Sequence, residues 1–72
     1  MMIPMRRTWF VNPRGTRWSV IPQDGLYADS LHDRKDDAIA RGLELSKRYR
    51  GRLRVKAQDG RIELECDFIR ED

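Results

Sequence analysis

The run Leu53-Arg54-Val55-Lys56-Ala57-Gln58-Asp59-Gly60-Arg61-Ile62-Glu63-Leu64-Glu65-Cys66-Asp67-Phe68 alternates apolar and charged side chains on either side of an Asp-Gly pair. A period of two marks a strand with one buried face, and Asp-Gly between two such runs signals a tight hairpin. A two-residue loop at Asp59-Gly60 places Gln58 opposite Arg61 and fixes every pair beyond it. Ala57 then meets Ile62, Val55 meets Leu64 and Leu53 meets Cys66 on a core face. Lys56 meets Glu63, Arg54 meets Glu65 and Arg52 meets Asp67 on the outer face. Each opposite-charge pair contributes only roughly a few tenths of a kcal/mol. A slip of one residue, however, would turn every aliphatic side chain to water.

Upstream of this hairpin the period changes from two to that of a helix. Ala38, Ile39, Gly42, Leu43, Leu45, Ser46 and Tyr49 fall within an arc of roughly 160° at about 100° per residue, the width of a buried helix face. The helix is expected to begin at Asp33, which caps it, with Asp36 completing a weak capping box. Acids gather at its start (Asp33, Asp36, Asp37) and bases at its end (Lys47, Arg48, Arg50), as the helix dipole favours. Gly51 is the expected C′ residue. The middle of the arc is small: Ala38, Gly42, Ser46. Gly inside a helix costs about 1 kcal/mol relative to Ala, so the helix is expected to lie close on a sheet there, against an indole ring.

Before the helix, residues 7–21 read as a first hairpin turning at Pro13-Arg14-Gly15-Thr16, with Gly15 supplying a positive φ. A four-residue loop would set Val11 opposite Trp18 and Trp9 opposite Val20. Phe10 and Ile21 would point to the other face. Gln23-Asp24-Gly25 is a second turn, and Leu26–Leu31 a short third strand. The expected fold is α+β, an antiparallel β-sheet with one α-helix packed on one face in the order β-β-β-α-β-β. It occupies 1–72 as a single domain, with 1–5 disordered.

At 72 residues, 39% hydrophobic and 38% charged, the chain can build only a thin core. Two Trp, two Tyr, two Phe and the patterned aliphatics still favour folding over disorder. The formal net charge of +3 is spread over the first two-thirds with no dense basic run, which permits a nucleic-acid or acidic partner without requiring one. One cysteine, Cys66, excludes an internal disulfide and a cysteine-based zinc site, and points to a reducing, cytoplasmic setting. No signal-peptide core or membrane-spanning stretch is present.

Several residues invite a functional reading. The stripe Arg52, Arg54, Lys56 faces carboxylates across the hairpin, and a neutralised stripe attracts phosphate weakly. Arg6, Arg7, Arg14 and Arg17 surround Trp9, Phe10 and Trp18, the mixture of cations and rings that single-strand binders use. The plainer reading makes both indoles core. Phe10 and Ile21, on the opposite face, fit a self-association or protein contact as well as simple exposure. His32 lies beside Asp33 and near Ser30, but residues this close in sequence rarely converge on one reacting atom. Cys66 falls on the inward phase of its strand, as a buried inert thiol does. Asp33, Asp36 and Asp37 are interrupted by Arg34 and Lys35 and lack a calcium-loop pattern. The expectation is therefore a non-catalytic protein with no cofactor or metal, acting as an interaction module or homodimer through Phe10 and Ile21. The alternative is nucleic-acid binding through the first hairpin.

The segments Trp18-Ser19-Val20, Asp33-Arg34-Lys35-Asp36-Asp37-Ala38, Leu53-Arg54-Val55 and Asp59-Gly60-Arg61-Ile62 resemble a group of short bacterial proteins catalogued as domain of unknown function 2188. Its members show W-x-V, a Thr-Lys-x-Glu-Ala helix start, a strand after the helix and D-G-x-I. The resemblance covers most of residues 7–68 and departs at the helix start, where this chain lacks the leading Thr. It implies a bacterial source and a compact sheet with one helix, and it assigns no activity or site residue. The element order is also similar to that of another small bacterial family whose units pair by exchanging a terminal strand, which again points to a dimer.

Overall fold

The computed structural model describes residues 7–69. The disorder expected for residues 1–5, and Arg6, lie outside the described residues. The elements follow in the predicted order: β1 (Thr8–Arg14), β2 (Arg17–Pro22), β3 (Ser30–His32), α1 (Lys35–Arg48), β4 (Arg52–Lys56) and β5 (Ile62–Asp67). They form one five-stranded sheet in the order β3-β2-β1-β4-β5, with α1 across one face. The sheet is mixed and not antiparallel throughout, because β4 runs parallel to β1. The cause lies in the connection: β2 already occupies one side of β1, and α1 carries the chain back along the sheet. β4 therefore starts at the same end as β1 and fills its free side.

Trp9, Val11, Val20, Leu53 and Val55 of the sheet and Ala38 and Leu45 of the helix form the buried core, with Trp18, Ile39, Leu43 and Cys66 packed against it. Gly42 sits where expected. A Cβ there would lie 2.7 Å from Leu53 Cδ1 and 3.4 Å from Val11 Cγ2, so the close approach is to aliphatic side chains and not to an indole.

The first hairpin keeps its predicted faces but not its neighbours. β1 continues to Arg14 and the loop shrinks to Gly15-Thr16, with Gly15 at φ 63°. Val11 therefore pairs with Val20, Trp9 with Pro22 and Pro13 with Trp18. The register moves by two residues, which preserves which side each residue faces. Pro13 is tolerated in a central strand because the ladder between β1 and β4 ends at Val11, so its missing N–H breaks no pair. The third strand is shorter than Leu26–Leu31. The chain turns through Gly25 N to Pro22 O at 3.0 Å and rejoins the sheet only at Asp29 N to Val20 O, 2.7 Å. Leu26 and Tyr27 are left 90% and 82% exposed on that loop.

Both helix ends depart from expectation. The N-cap is Arg34, extended at φ −117°, ψ 138° but without a side-chain cap hydrogen bond, whereas Asp33 pairs with Arg17 at 3.1 Å. At the other end Arg50, not Gly51, takes the left-handed C′ conformation at φ 52°. Gly51 N donates to Ser46 O at 2.8 Å and Arg50 N to Lys47 O at 3.4 Å, the pair of bonds that closes a Schellman motif. Gly51 is needed for a different reason, since a Cβ there would stand 2.1 Å from the Arg7 carbonyl oxygen.

In the C-terminal hairpin the pairs Leu53–Cys66, Val55–Leu64, Arg54–Glu65 and Arg52–Asp67 form as read from the sequence. The turn is wider than two residues. Ala57 N donates to Arg61 O at 2.8 Å and Gly60 N to Ala57 O at 3.0 Å, with Gly60 at φ 87°. The extra residue creates a bulge that sets Lys56 opposite Ile62, so the expected pairs Ala57–Ile62 and Lys56–Glu63 do not form. Glu63 instead pairs with Lys35 at the start of the helix. Ile62 and Leu64, expected under the helix, are 47% and 41% exposed: the bulge turns Ile62 to the other face with Lys56, and Leu64 lies beyond the reach of the helix. A helix about 10 Å wide cannot cover five strands spaced about 4.8 Å apart, and β5 is the edge strand left out.

Candidate interaction surfaces

The face of the sheet away from α1 carries no covering layer among the described residues. Phe10 of β1 and Ile21 of β2 are direct cross-strand partners there. Both are half-buried, and the ammonium of Lys56 lies 5.1 Å over the Phe10 ring. Leu31 of β3 pairs with Ser19, which shares the face, and it is 47% exposed. The bulge in β5 brings Ile62 to the Lys56 side. The face thus has an apolar half on β3, β2 and β1, and a charged half on β4 and β5. In the charged half Arg54 Nε lies 2.8 Å from Glu65 and Arg52 Nη2 3.2 Å from Asp67. The sequence pointed to Phe10 and Ile21 but missed Leu31 and Ile62. Leu31 was legible from strand alternation once β3 was shortened, and Ile62 needed the bulge.

Of the four arginines read as a nucleic-acid set, Arg6 lies outside the described residues and the other three are not brought together. Arg7 precedes β1 and its guanidinium lies 5.3 Å over the Tyr49 ring at the end of the helix. Arg14 and Arg17 face each other at the far end of the same hairpin, and Arg17 is engaged by Asp33. Seven strand residues separate the two ends by roughly 20 Å. Trp9 is buried, and Trp18 packs against the core beneath Lys35, whose ammonium is 5.1 Å from its ring.

Ser30 Oγ and His32 Nε2 meet at 2.8 Å on β3, but Asp33 turns away to Arg17. The loop before β3 is tied to the helix by a bidentate pair, Arg41 Nε and Nη2 to the Asp29 carboxylate at 2.9 and 3.3 Å. Arg41 also reaches Glu44 at 2.5 Å. The hydrogen bond from Arg41 holds the Asp29 carboxyl below the usual carboxylate range, and Asp29 and Glu44 together push the Arg41 guanidinium further up. A hollow of about 550 Å³ lies at the opposite end of the helix, lined by Lys47, Arg50, Asp67, Phe68 and Ile69. Among the described residues no group of three or more His, Cys, Asp or Glu side chains is placed to hold a metal ion, and no helix is long and apolar enough to cross a membrane.

A family model described as "Uncharacterized protein conserved in bacteria (DUF2188)" matches residues 9–67. The chain belongs to this family. The chain matches no curated protein and no solved structure. The DUF2188 span contains the entire apolar half of the open face, Phe10, Ile21 and Leu31, together with Ile62. It leaves out Arg7, Phe68 and Ile69 at the end of the molecule where the helix stops.

Proposed function

We propose that the protein is a non-catalytic cytoplasmic module that self-associates, and that two copies meet through the open face of the sheet. The observation that carries this reading is the direct pairing of Phe10 with Ile21 on the uncovered face, flanked by the half-exposed Leu31 and Ile62. A second copy suits the apolar half of the face, because the carboxylates beside it are matched within each chain, Glu65 by Arg54 and Asp67 by Arg52, while the Lys56 ammonium rests on the Phe10 ring. A strongly basic partner gains nothing from such a surface, and an isologous contact buries the apolar half against itself. Five strands of three to seven residues span roughly 20 Å by 20 Å. That is about 400 Å² in plan per copy, below the roughly 800 Å² per partner of a standard specific interface, so the dimer should be weak and concentration-dependent. Nucleic-acid binding along the first hairpin has less support, since Arg7 is split from Arg14 and Arg17.

Sedimentation equilibrium over a wide concentration range tests the proposal. The wild-type mass should climb from 8.6 kDa toward twice that value. A double variant, Phe10→Thr with Ile21→Thr, places strand-favouring β-branched residues at both positions and should remain monomeric. A wild-type chain that stays monomeric throughout, or a variant that associates equally well, would remove the reading.

A further inference from the structure

The sequence spreads its positive charge thinly, but the fold gathers part of it at one pole. The helix ends beside the starts of β1 and β4, because Arg52 N donates to Arg7 O at 2.8 Å and Phe68 N to Gly51 O at 2.8 Å. Lys47, Arg48 and Arg50 from the end of the helix are thereby placed with Arg7 and Arg52 from the strands. Arg52 is matched by Asp67. Arg7, Lys47, Arg48 and Arg50 make no ion pair among the described residues. Two rings stand among these cations. The Arg7 guanidinium lies over Tyr49, which is 46% exposed, and the Lys47 ammonium lies 5.7 Å over Phe68. Lys47, Arg50 and Phe68 line the 550 Å³ hollow, a volume within the range of small-ligand sites.

We propose that this pole is a binding site for single-stranded nucleic acid, with the backbone phosphates held by Arg7, Lys47, Arg48 and Arg50 and an unstacked base against Tyr49 or in the hollow beside Phe68. The helix end itself presents only about half a negative charge, and the hydrogen bonds from Gly51 and Arg50 already occupy its last carbonyls. Four unmatched cations outweigh it. Guanidinium groups favour bidentate phosphate contacts. The exposed ring of Tyr49 and the half-buried one of Phe68 beside them offer the sequence-tolerant stacking that single strands permit and duplexes do not. An acidic peptide would satisfy the cations but leave the rings idle, which is why nucleic acid is the better fit. The site is on a different surface from the open sheet face, and the Phe10→Thr, Ile21→Thr chain should bind like the wild type at concentrations where both are monomeric.

Fluorescence anisotropy with labelled oligothymidylate at low salt tests the proposal. Binding should weaken steeply as salt rises, and unlabelled polyglutamate should compete poorly. Changing Lys47→Gln together with Arg50→Gly should lower affinity by at least about tenfold and reduce the salt slope by about 1.4, the share of two phosphate contacts on a single strand. This variant relieves the left-handed backbone at residue 50, so lost binding cannot be laid to lost folding. Arg14→Gln with Arg17→Gln removes the same charge at the far pole and should leave binding nearly unchanged. No oligonucleotide binding at low salt, equal losses from the two double variants, or competition by polyglutamate as strong as by unlabelled oligothymidylate would each overturn the assignment.

Discussion

At the scale of single residues, positions 50 and 51 exchange the roles that their side chains suggest. Gly51 has the composition of a helix-ending residue, yet Arg50 adopts the positive φ, and Gly51 is held by the Arg7 carbonyl against which any Cβ would collide. Two opposite effects follow. Arg50→Gly should stabilise the fold by about 1 kcal/mol, since a non-glycine residue in the left-handed region costs roughly that much. Gly51→Ala should destabilise it by about 2–3 kcal/mol, because the clash is with backbone and no rotamer change relieves it. Urea denaturation of the two variants measures both. The sequence made a glycine near the end of the helix legible as a requirement. It could not distinguish a dihedral requirement from a steric one, because the second depends on which strand passes beside the turn.

At the scale of elements, the helix and the last hairpin were the most legible parts, since their periods of 3.6 and two are properties of local sequence. What went unseen was set by partners distant in the chain. The parallel pairing of β1 with β4 follows from the path of the crossover helix, and the bulge at Ile62–Lys56 from the turn geometry around Gly60. Asp33 was a reasonable cap by composition but lies one residue too early, and Arg17 engages it across the sheet. Arg34 already has the extended backbone of an N-cap and lacks only an acceptor. Arg34→Ser should therefore add about 1 kcal/mol, raising Tm by roughly 4–8 °C in a thermal melt. The tie between Asp29 and Arg41 belongs to the same scale, as it fastens the loop before β3 to α1. The folded-state pKa of Asp29 is depressed, so its contribution is complete above the ordinary carboxylate value near 4 and disappears as pH falls through the lower, folded value. Thermal stability should drop as the solution is acidified through the ordinary carboxylate range and on to the lower, folded value, and Asp29→Asn should show a shallower drop there along with a lower plateau at neutral pH.

At the scale of the whole molecule, a single helix covers the middle of one face, and among the described residues nothing covers the other face or the β5 edge. On the open face the apolar half is where Phe10 and Ile21, legible from alternation alone, join Leu31. The surface that alternation identified is thus the one that the fold leaves open. Of the basic pole, Lys47, Arg48 and Arg50 were legible as the basic end of the helix, whereas Arg7, more than half the chain away, joins them only through the fold. The most direct test of the self-association claim is an isotope-filtered NOE experiment on an equal mixture of labelled and unlabelled chains at high concentration. Contacts between the Phe10 ring of one copy and the Ile21 or Leu31 methyls of the other are the predicted result. Intermolecular contacts confined to Leu64 and the β5 edge, or none at all, would contradict it.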